Sequence, residues 1–198
     1  MHITLVLDHP YMLESSENIP HKRSYSAAIA QNAIEMLQRS GHSVDVIDLQ
    51  KDRYNPVLDR QGLLNWRTKE YVDTQSMNYL QRLRVADEII FIFPLWWEIM
   101  PAMTKGFIDK VFCKGQVKKI AGKHLILDPK TKIRVLTACG TPQFIYSWHY
   151  RNPLGKMLKI GVFGKLGLKD FKLVNFNAED QSEQKRMKNL KQLKKYLL

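Results

Sequence analysis

Between two prolines the chain carries its most unusual run, Phe93-Pro94-Leu95-Trp96-Trp97-Glu98-Ile99-Met100-Pro101. Two adjacent tryptophans there cannot both be buried in a helix–strand core. Their bulk fits a flat aromatic ligand, and the prolines hold the loop so that its backbone N–H groups can face that ligand. A hydrophobic plug capping a sheet, or a dimer surface, accounts for the same residues equally well. Cys113 and Cys139 stand 26 residues apart with no Cys-x-x-Cys pair and no histidine cluster around them. That excludes a disulfide scaffold and any standard zinc site, so no metal is expected, and it points to a reducing compartment. After the first apolar run comes Asp8-His9-Pro10-Tyr11-Met12, with no glycine before Gly41. A Gly-x-Gly-x-x-Gly turn is missing, so direct Rossmann-type NAD binding is not expected.

The tryptophan loop needs a sheet to hold it. Ile3 to Leu7 is a short, nearly all-apolar run, as a strand buried on both faces requires. A polar stretch from Asp8 to Arg23 follows. From Ser24 the period turns helical, with Tyr25, Ile29, Ala33, Met36 and Leu37 on one face and Gly41 where a helix C-cap belongs. Val44 to Leu49 reads as strand two, and Gln50 to Trp66 as polar and irregular. A helix over Lys69 to Arg84 leads to the strongest strand, Glu88 to Phe93. Pro101 suits the first turn of a third helix. Lys132 to Thr137 is strand four, Leu154 to Phe163 helix four, and Phe171 to Phe176 strand five. A last helix carries Met187, Leu190, Leu193 and Leu197.

Strict alternation of strands and helices forces a parallel sheet with helices on both faces. Five strands suit the α/β flavodoxin-like order 2-1-3-4-5, in a single domain over residues 1–198. In such sheets ligands bind beyond the carboxyl ends of the strands at the switch in strand order. Those ends are the segments after strands one, three and four. The tryptophan loop is one of them.

The 198 residues are 44% hydrophobic and 25% charged, which is globular composition and excludes a disordered or low-complexity chain. Lys and Arg number 31 against 19 Asp and Glu, a net charge of +12. The basic runs at 102–135 and 184–198 are interleaved with apolar residues at folding spacing and read as solvated faces. No helix-turn-helix, zinc finger or aromatic-rich RNA signature accompanies them, so no nucleic acid is expected. The N-terminal run lacks the basic region and cleavage site of a signal peptide. The longest apolar stretch, Ile89 to Met100, is broken by Pro94 and Glu98 and falls short of the about 20 residues a spanning helix needs. A cytoplasmic protein without membrane insertion is expected.

Taken together, Ala86-Asp87, Phe93-Pro94-Leu95-Trp96-Trp97, Pro101-Ala102, Lys105-Gly106 and Asp109-Lys110-Val111-Phe112 resemble the signature of the NAD(P)H:quinone oxidoreductase family. That family includes the DT-diaphorase-like enzymes and the flavoprotein ancillary subunits of glutathione-gated potassium efflux systems. The resemblance implies a flavodoxin-like fold with FMN or FAD bound at a homodimer interface. It implies that Pro94, Leu95, Trp96 and Trp97 lie along the isoalloxazine ring. Trp96 and the following amides would meet N5 and O4, and Trp97 would wall the nicotinamide and quinone pocket.

After strand one the family carries His-Pro and a phosphate loop ending in Ser, an aromatic residue and Asn. His9-Pro10 matches, and Ser24, Tyr25 and Ser26 resemble the loop's end. Hydroxyls and free amides at a helix start suit a dianionic phosphate, and His9 could add a donor. As plain structure, His9 finishes a strand and Ser24 is an N-cap. Tyr11 to Lys22 is longer than the family's loop, and Ser26 replaces its amide.

After strand four the family's Thr-Thr-Gly-Gly meets the flavin pyrimidine. Here Thr137 and Gly140 match, while Ala138 and Cys139 do not. Amides of this segment would stabilise charge at N1 and O2, and Cys139 reads as a small buried residue, with a reactive thiol as the alternative. The family's Tyr and His donors to substrate have their nearest counterparts in Tyr146 and His149, with Tyr150 close by.

The function expected is flavin-dependent oxidation of NAD(P)H, hydride passing through flavin N5 to a quinone or similar small acceptor by ping-pong turnover. FMN is favoured over FAD because the chain lacks the family's longer C-terminal portion. The alternative is a regulatory flavoprotein subunit docking on a membrane potassium-efflux transporter. A one-electron flavodoxin carrier fits less well, because those carriers are typically acidic. The homodimer is also expected from the residues themselves. Leu95 to Pro101 with Phe144, Ile145, Tyr146, Trp148 and Tyr150 would form an aromatic patch too large for a soluble monomer.

Overall fold

The computed structural model describes residues 1–17, 23–68, 71–120, 123–178 and 181–197. Its strands in chain order are β1 (His2–Leu7), β2 (Ser43–Asp48), β3 (Glu88–Pro94), β4 (Lys118–Ile120), β5 (Lys123–Leu125), β6 (Lys132–Cys139) and β7 (Phe171–Asn177). Five of them form one all-parallel sheet in the order β2-β1-β3-β6-β7, the expected 2-1-3-4-5 arrangement. The pair β4 and β5 is an antiparallel hairpin outside that sheet. Strands of three residues carry no readable alternation, which is why the sequence showed only a basic run there.

The helices are α1 (Tyr25–Arg39), α2 (Arg60–Thr68), α3 (Thr74–Arg84), α4 (Ala102–Val111), α5 (Gln143–Trp148), α6 (Pro153–Lys156), α7 (Glu183–Lys191) and α8 (Lys194–Leu197). Several differ from expectation, and α5 is one that the sequence reading did not contain. The interval to Trp66 contains α2, whose start is held by the Gly62 amide donating to Asp59 Oδ1 at 2.6 Å. Helix α3 starts at Thr74 because Asp73 caps it, accepting from the Ser76 amide at 2.7 Å. Residues 69 and 70 of the expected helix lie outside the described residues, as do 18–22 of the long loop before α1. The expected fourth helix is a short α6 continued by an i→i+5 helix over Met157–Gly164. Its widened turns press Lys159 O against Gly164, where a Cβ would lie 2.5 Å away. The last helix is broken at Gln192 into α7 and α8.

Alternation along β3 sends its side chains into two cores. Ile89, Phe91 and Phe93 pack with α3, α4 and Phe163 on one face. Ile90 and Ile92 pack with Ile3, Leu5, Leu7 and α1 on the other. Phe107 of α4 centres the first core, with ring centroids 5.6–6.5 Å from Tyr54, Tyr79, Phe91 and Phe112. Each such side chain contributes about 1.5–3 kcal/mol on burial. Lys110 Nζ donates to Asn55 O at 2.6 Å and pairs with Asp73 at 2.8 Å. Gly106 lets α4 approach Pro56, whose carbonyl oxygen would lie 2.3 Å from a Cβ. These contacts fix α4, and α4 is the element that follows the tryptophan loop.

Candidate functional site

The carboxyl ends of β1, β3 and β6 lie side by side, and each continues into a loop held by specific bonds. Beyond β1, the Asp8 amide donates to Ile92 O at 3.0 Å. Asp8 is buried, and its Oδ2 accepts from the Thr104 amide (2.8 Å) and the Thr104 hydroxyl (2.7 Å). Pro101, the N-cap of α4, has no side-chain acceptor, so a carboxylate from β1 caps α4 instead. Burial pushes the Asp8 pKa up, the Thr104 bonds oppose the shift, and Asp48 reinforces it. Asp48, at the end of β2, accepts from the Leu13 amide at 2.9 Å and the Lys51 amide at 3.2 Å. It thereby anchors the start of the long loop.

His9 is half-buried, and its Nδ1 accepts from the Tyr11 amide at 3.2 Å. The neutral ring therefore carries its proton on Nε2. Burial lowers the His9 pKa, partly offset by Asp48. Ser24 is the N-cap of α1, its hydroxyl accepting from the Ala27 amide at 3.1 Å. Tyr25 turns toward α7, donating to Arg186 O at 3.1 Å and stacking edge-on to Phe176. Ser26 sits in the first turn of α1 with its hydroxyl buried and unpartnered. A cavity of about 690 Å³ opens beside this turn, lined by Ser15, Ser16, Arg23, Ser24, Tyr25 and Arg186 among others.

Beyond β3 the chain makes a two-residue turn. Trp96 and Ile99 exchange both backbone bonds, at 3.0 and 3.2 Å, with Trp97 (φ 54°) and Glu98 (φ 62°) between them. Positive φ at both central residues is the hairpin geometry that normally selects Asn-Gly. Trp97 ends up 98% exposed and Trp96 47%. The turn and the residue before it are tied to β6, its loop and α5 at three points: the Leu95 amide donates to Ala138 O at 2.8 Å, the Thr141 hydroxyl donates to Glu98 Oε1, and Tyr146 OH donates to Glu98 O at 3.2 Å. The second Glu98 oxygen is buried without a partner.

Beyond β6, the Thr137 hydroxyl is bonded to Asn175 of β7, its register partner. Ala138 and Cys139 are buried, the thiol donating to Thr141 O at 3.3 Å. Gly140 O accepts from Asn177 Nδ2 at 3.3 Å.

The structure thus joins Pro94 to Trp97 with Thr137 to Gly140 directly, and sets His9 on the neighbouring strand end. Ser24 and Ser26 stand at the helix that follows. Of the two candidate donors to substrate, Tyr146 is placed differently from the expectation. Tyr146 is fully buried, with its hydroxyl donating to Glu98 O and accepting from the Leu154 amide at 3.3 Å. Burial pushes its phenol up to about 12. It is a scaffold donor here, not an open one. His149 ends α5, exposed, its amide donating to Ile145 O at 2.9 Å and its ring edge-on to Tyr150. Neither Asp8, Glu98 nor Thr141 stood out as part of the site in the sequence. Glu98 and Thr141 flank segments that did, and the Asp8–Thr104 bond spans 96 residues with no local signal.

The residues fit a flavin phosphate and ring. A buried, unpartnered hydroxyl at a helix start is short of an oxygen-rich partner, and an open indole face beside backbone loops suits a flat heterocycle.

Comparison with known proteins agrees with this geometry. The chain is 34% identical over 111 residues to a ribosyldihydronicotinamide dehydrogenase-like protein of Penicillium crustosum, covering 48% of this chain and 42% of that one. It is 25% identical over 186 residues to the ribosyldihydronicotinamide dehydrogenase [quinone] of Rattus norvegicus, covering 83% and 80%. In the matches at 32–34% identity the chain spans 42–50% of the length of the curated relatives. The structure of an FMN-dependent NADH-azoreductase from Bacillus anthracis in complex with FMN superposes with a TM-score of 0.75, at 19% identity and 96% and 94% coverage. At that identity the likeness speaks for the fold. The family model for the flavodoxin-like fold matches residues 1–197, and the chain belongs to that family, with NAD(P)H oxidoreductases and quinone reductases as its relatives.

Proposed function

We propose that this protein is a flavin-dependent NAD(P)H oxidoreductase that reduces quinones or similar small acceptors by two electrons. The observation that carries the reading is the Trp96–Ile99 turn. It stands at the switch in strand order, bonded to the β6 loop, with an aromatic face left open. When bound, a flavin would supply hydride-carrier chemistry at N5 between NAD(P)H and the acceptor, in ping-pong turnover.

This chain's own residues bind and orient. The first turn of α1, with Ser24 and the unpartnered Ser26 hydroxyl, takes the phosphate, helped by the positive end of the helix. Pro94 to Trp97 and Thr137 to Gly140 hold the ring through their backbone amides. Trp97 walls the side on which nicotinamide and acceptor alternate, and the exposed His149 and Tyr150, just after α5, are the candidates to border it. FMN is the cofactor favoured; the cavity beside Tyr25 and Arg186 makes FAD the form to test against it.

A homodimer completes this reading. Trp97, Phe144 and Trp148 are 98%, 71% and 83% exposed. Such aromatic surface is seldom left to water on a monomer.

Reconstitution tests the proposal. Protein loaded with excess FMN or FAD and desalted should keep its blue absorbance, and should consume NAD(P)H in the presence of a soluble quinone. Retention of neither flavin at micromolar protein would leave only the fold. Flavin retention without turnover would favour a binding role instead.

A further inference from the structure

We propose that Tyr146 and Thr141 are positioning residues that latch the Trp97–Glu98 turn in its strained form, so that the Trp97 ring stands open before any ligand arrives. The functional half of this rests on the flavin reading above; the latch itself is a property of the bare chain.

Consecutive residues with φ of 54° and 62° are unfavourable for side chains bearing a Cβ. Within the turn only the Trp96–Ile99 pair opposes that strain. The Trp97 side chain packs on almost nothing, being 98% exposed. The restraint therefore comes from outside. Tyr146 OH donates to the Glu98 carbonyl at 3.2 Å, and the Thr141 hydroxyl donates to the Glu98 carboxylate.

Tyr146 is itself immobilised. Its ring is fully buried, the Leu154 amide donates to its hydroxyl, and the Asn152 amide donates to its carbonyl at 3.0 Å. Asn152 and the preceding Arg151 form a second pair with positive φ, 50° and 60°. One buried tyrosine thus bonds to both strained pairs, its hydroxyl to one and its carbonyl to the other. The loops after β3 and β6 are coupled through it. An indole with so little packing is aimed by its backbone, and the backbone is aimed by these bonds.

The test begins with flavin-free protein and amide hydrogen exchange read by NMR in Tyr146→Phe and Thr141→Val. Loss of one hydrogen bond should speed exchange of the Trp96 and Ile99 amides about three- to ten-fold, while the Ile90 and Ile92 amides of β3 stay as they were. Glycine adopts positive φ freely. In a Glu98→Gly background, adding Tyr146→Phe should therefore change exchange less than it does in the native chain. With flavin loaded, Tyr146→Phe should keep its cofactor and lose about ten-fold or more in kcat/KM for quinone, the scale of a misplaced binding wall.

Unchanged exchange at Trp96 and Ile99, or equal acceleration throughout β3, would overturn the latch. Faster local exchange with full turnover would overturn its role in positioning. A native protein that retains no flavin would instead overturn the reading it rests on, and the exchange result would still decide the latch.

Discussion

Removing the Asp8 carboxylate tests how the sheet edge is built. Asp8→Ala leaves the Thr104 amide and hydroxyl, both bonded to Oδ2 in a buried setting, without an acceptor. Each orphaned buried donor costs about 1–3 kcal/mol, so the pair costs about 2–6 kcal/mol. Relief of the buried charge offsets part of this. Asp8→Asn keeps an acceptor oxygen for Thr104 while removing the charge, and should stay within about 1 kcal/mol of the native chain. Urea unfolding at pH 7, compared through midpoint and slope, measures the difference between the two variants.

The pH dependence adds a signed check. Because burial raises the Asp8 pKa, the native state keeps a proton that the unfolded chain has already lost. Stability then falls as pH rises from the unfolded carboxyl value through the folded one. The native chain should therefore lose ground to Asp8→Asn on going from pH 4 to pH 7. Equal stability of the Ala and Asn variants would refute the capping role. A native chain that gained on Asp8→Asn with rising pH would refute the burial assignment.

Trp97→Ala should leave stability within about 0.5 kcal/mol, since the exposed ring packs on so little, and should keep flavin while raising KM or lowering kcat for quinone. Loss of flavin would instead make the residue a cofactor platform. Glu88 is buried at the other end of β3, has an oxygen without a partner, and is pushed up mainly by burial. By the same sign, Glu88→Gln should raise the melting temperature at pH 7, by about 2–4 °C per kcal/mol relieved, and bring little change at pH 4; equal gains at both pH values would contradict this. Sedimentation of the flavin-loaded protein at ~10 μM should give twice the chain mass, little altered between low and moderate salt; a monomer would count against the aromatic dimer face.

Strand order was legible because strands buried on both faces are written as unbroken apolar runs, and Ile3–Leu7 and Glu88–Phe93 are such runs. The exposed tryptophan turn of the candidate site was legible because bulky aromatics between prolines have no place in a core. What escaped was whatever depends on a distant partner. Helix α2 leaves Leu63 and Leu64 exposed and is fastened by Trp66 donating to Asp109 O at 2.9 Å, a contact that no local periodicity records. Tyr146 illustrates the same limit. A tyrosine near a sheet edge has one hydroxyl, and the sequence does not say whether a substrate or a carbonyl 48 residues away receives it.

Net charge was the least informative signal, for a reason that the sheet edge makes clear. The chain carries +12, yet carboxylates stand just beyond β1 (Asp8), at the end of β2 (Asp48) and in the turn after β3 (Glu98). Two of these accept backbone amides and the third accepts a hydroxyl, so they organise loops instead of meeting solvent. A phosphate dianion finds no welcome among them. Among the described residues, the start of α1 is where the edge turns favourable to an anion, with Arg23 lining the cavity there and the buried Ser26 hydroxyl without a partner. An uncharged ring is suited to the other side, against Trp96 and Trp97. A ligand with an anionic tail and a flat neutral head matches that division, and a ligand anionic at both ends does not. Competition by a purely aromatic quinone, compared with the same ring bearing a sulfonate, measures this directly. The sulfonated form should bind the tryptophan side more weakly, and equal binding would show that the carboxylates are screened from the site.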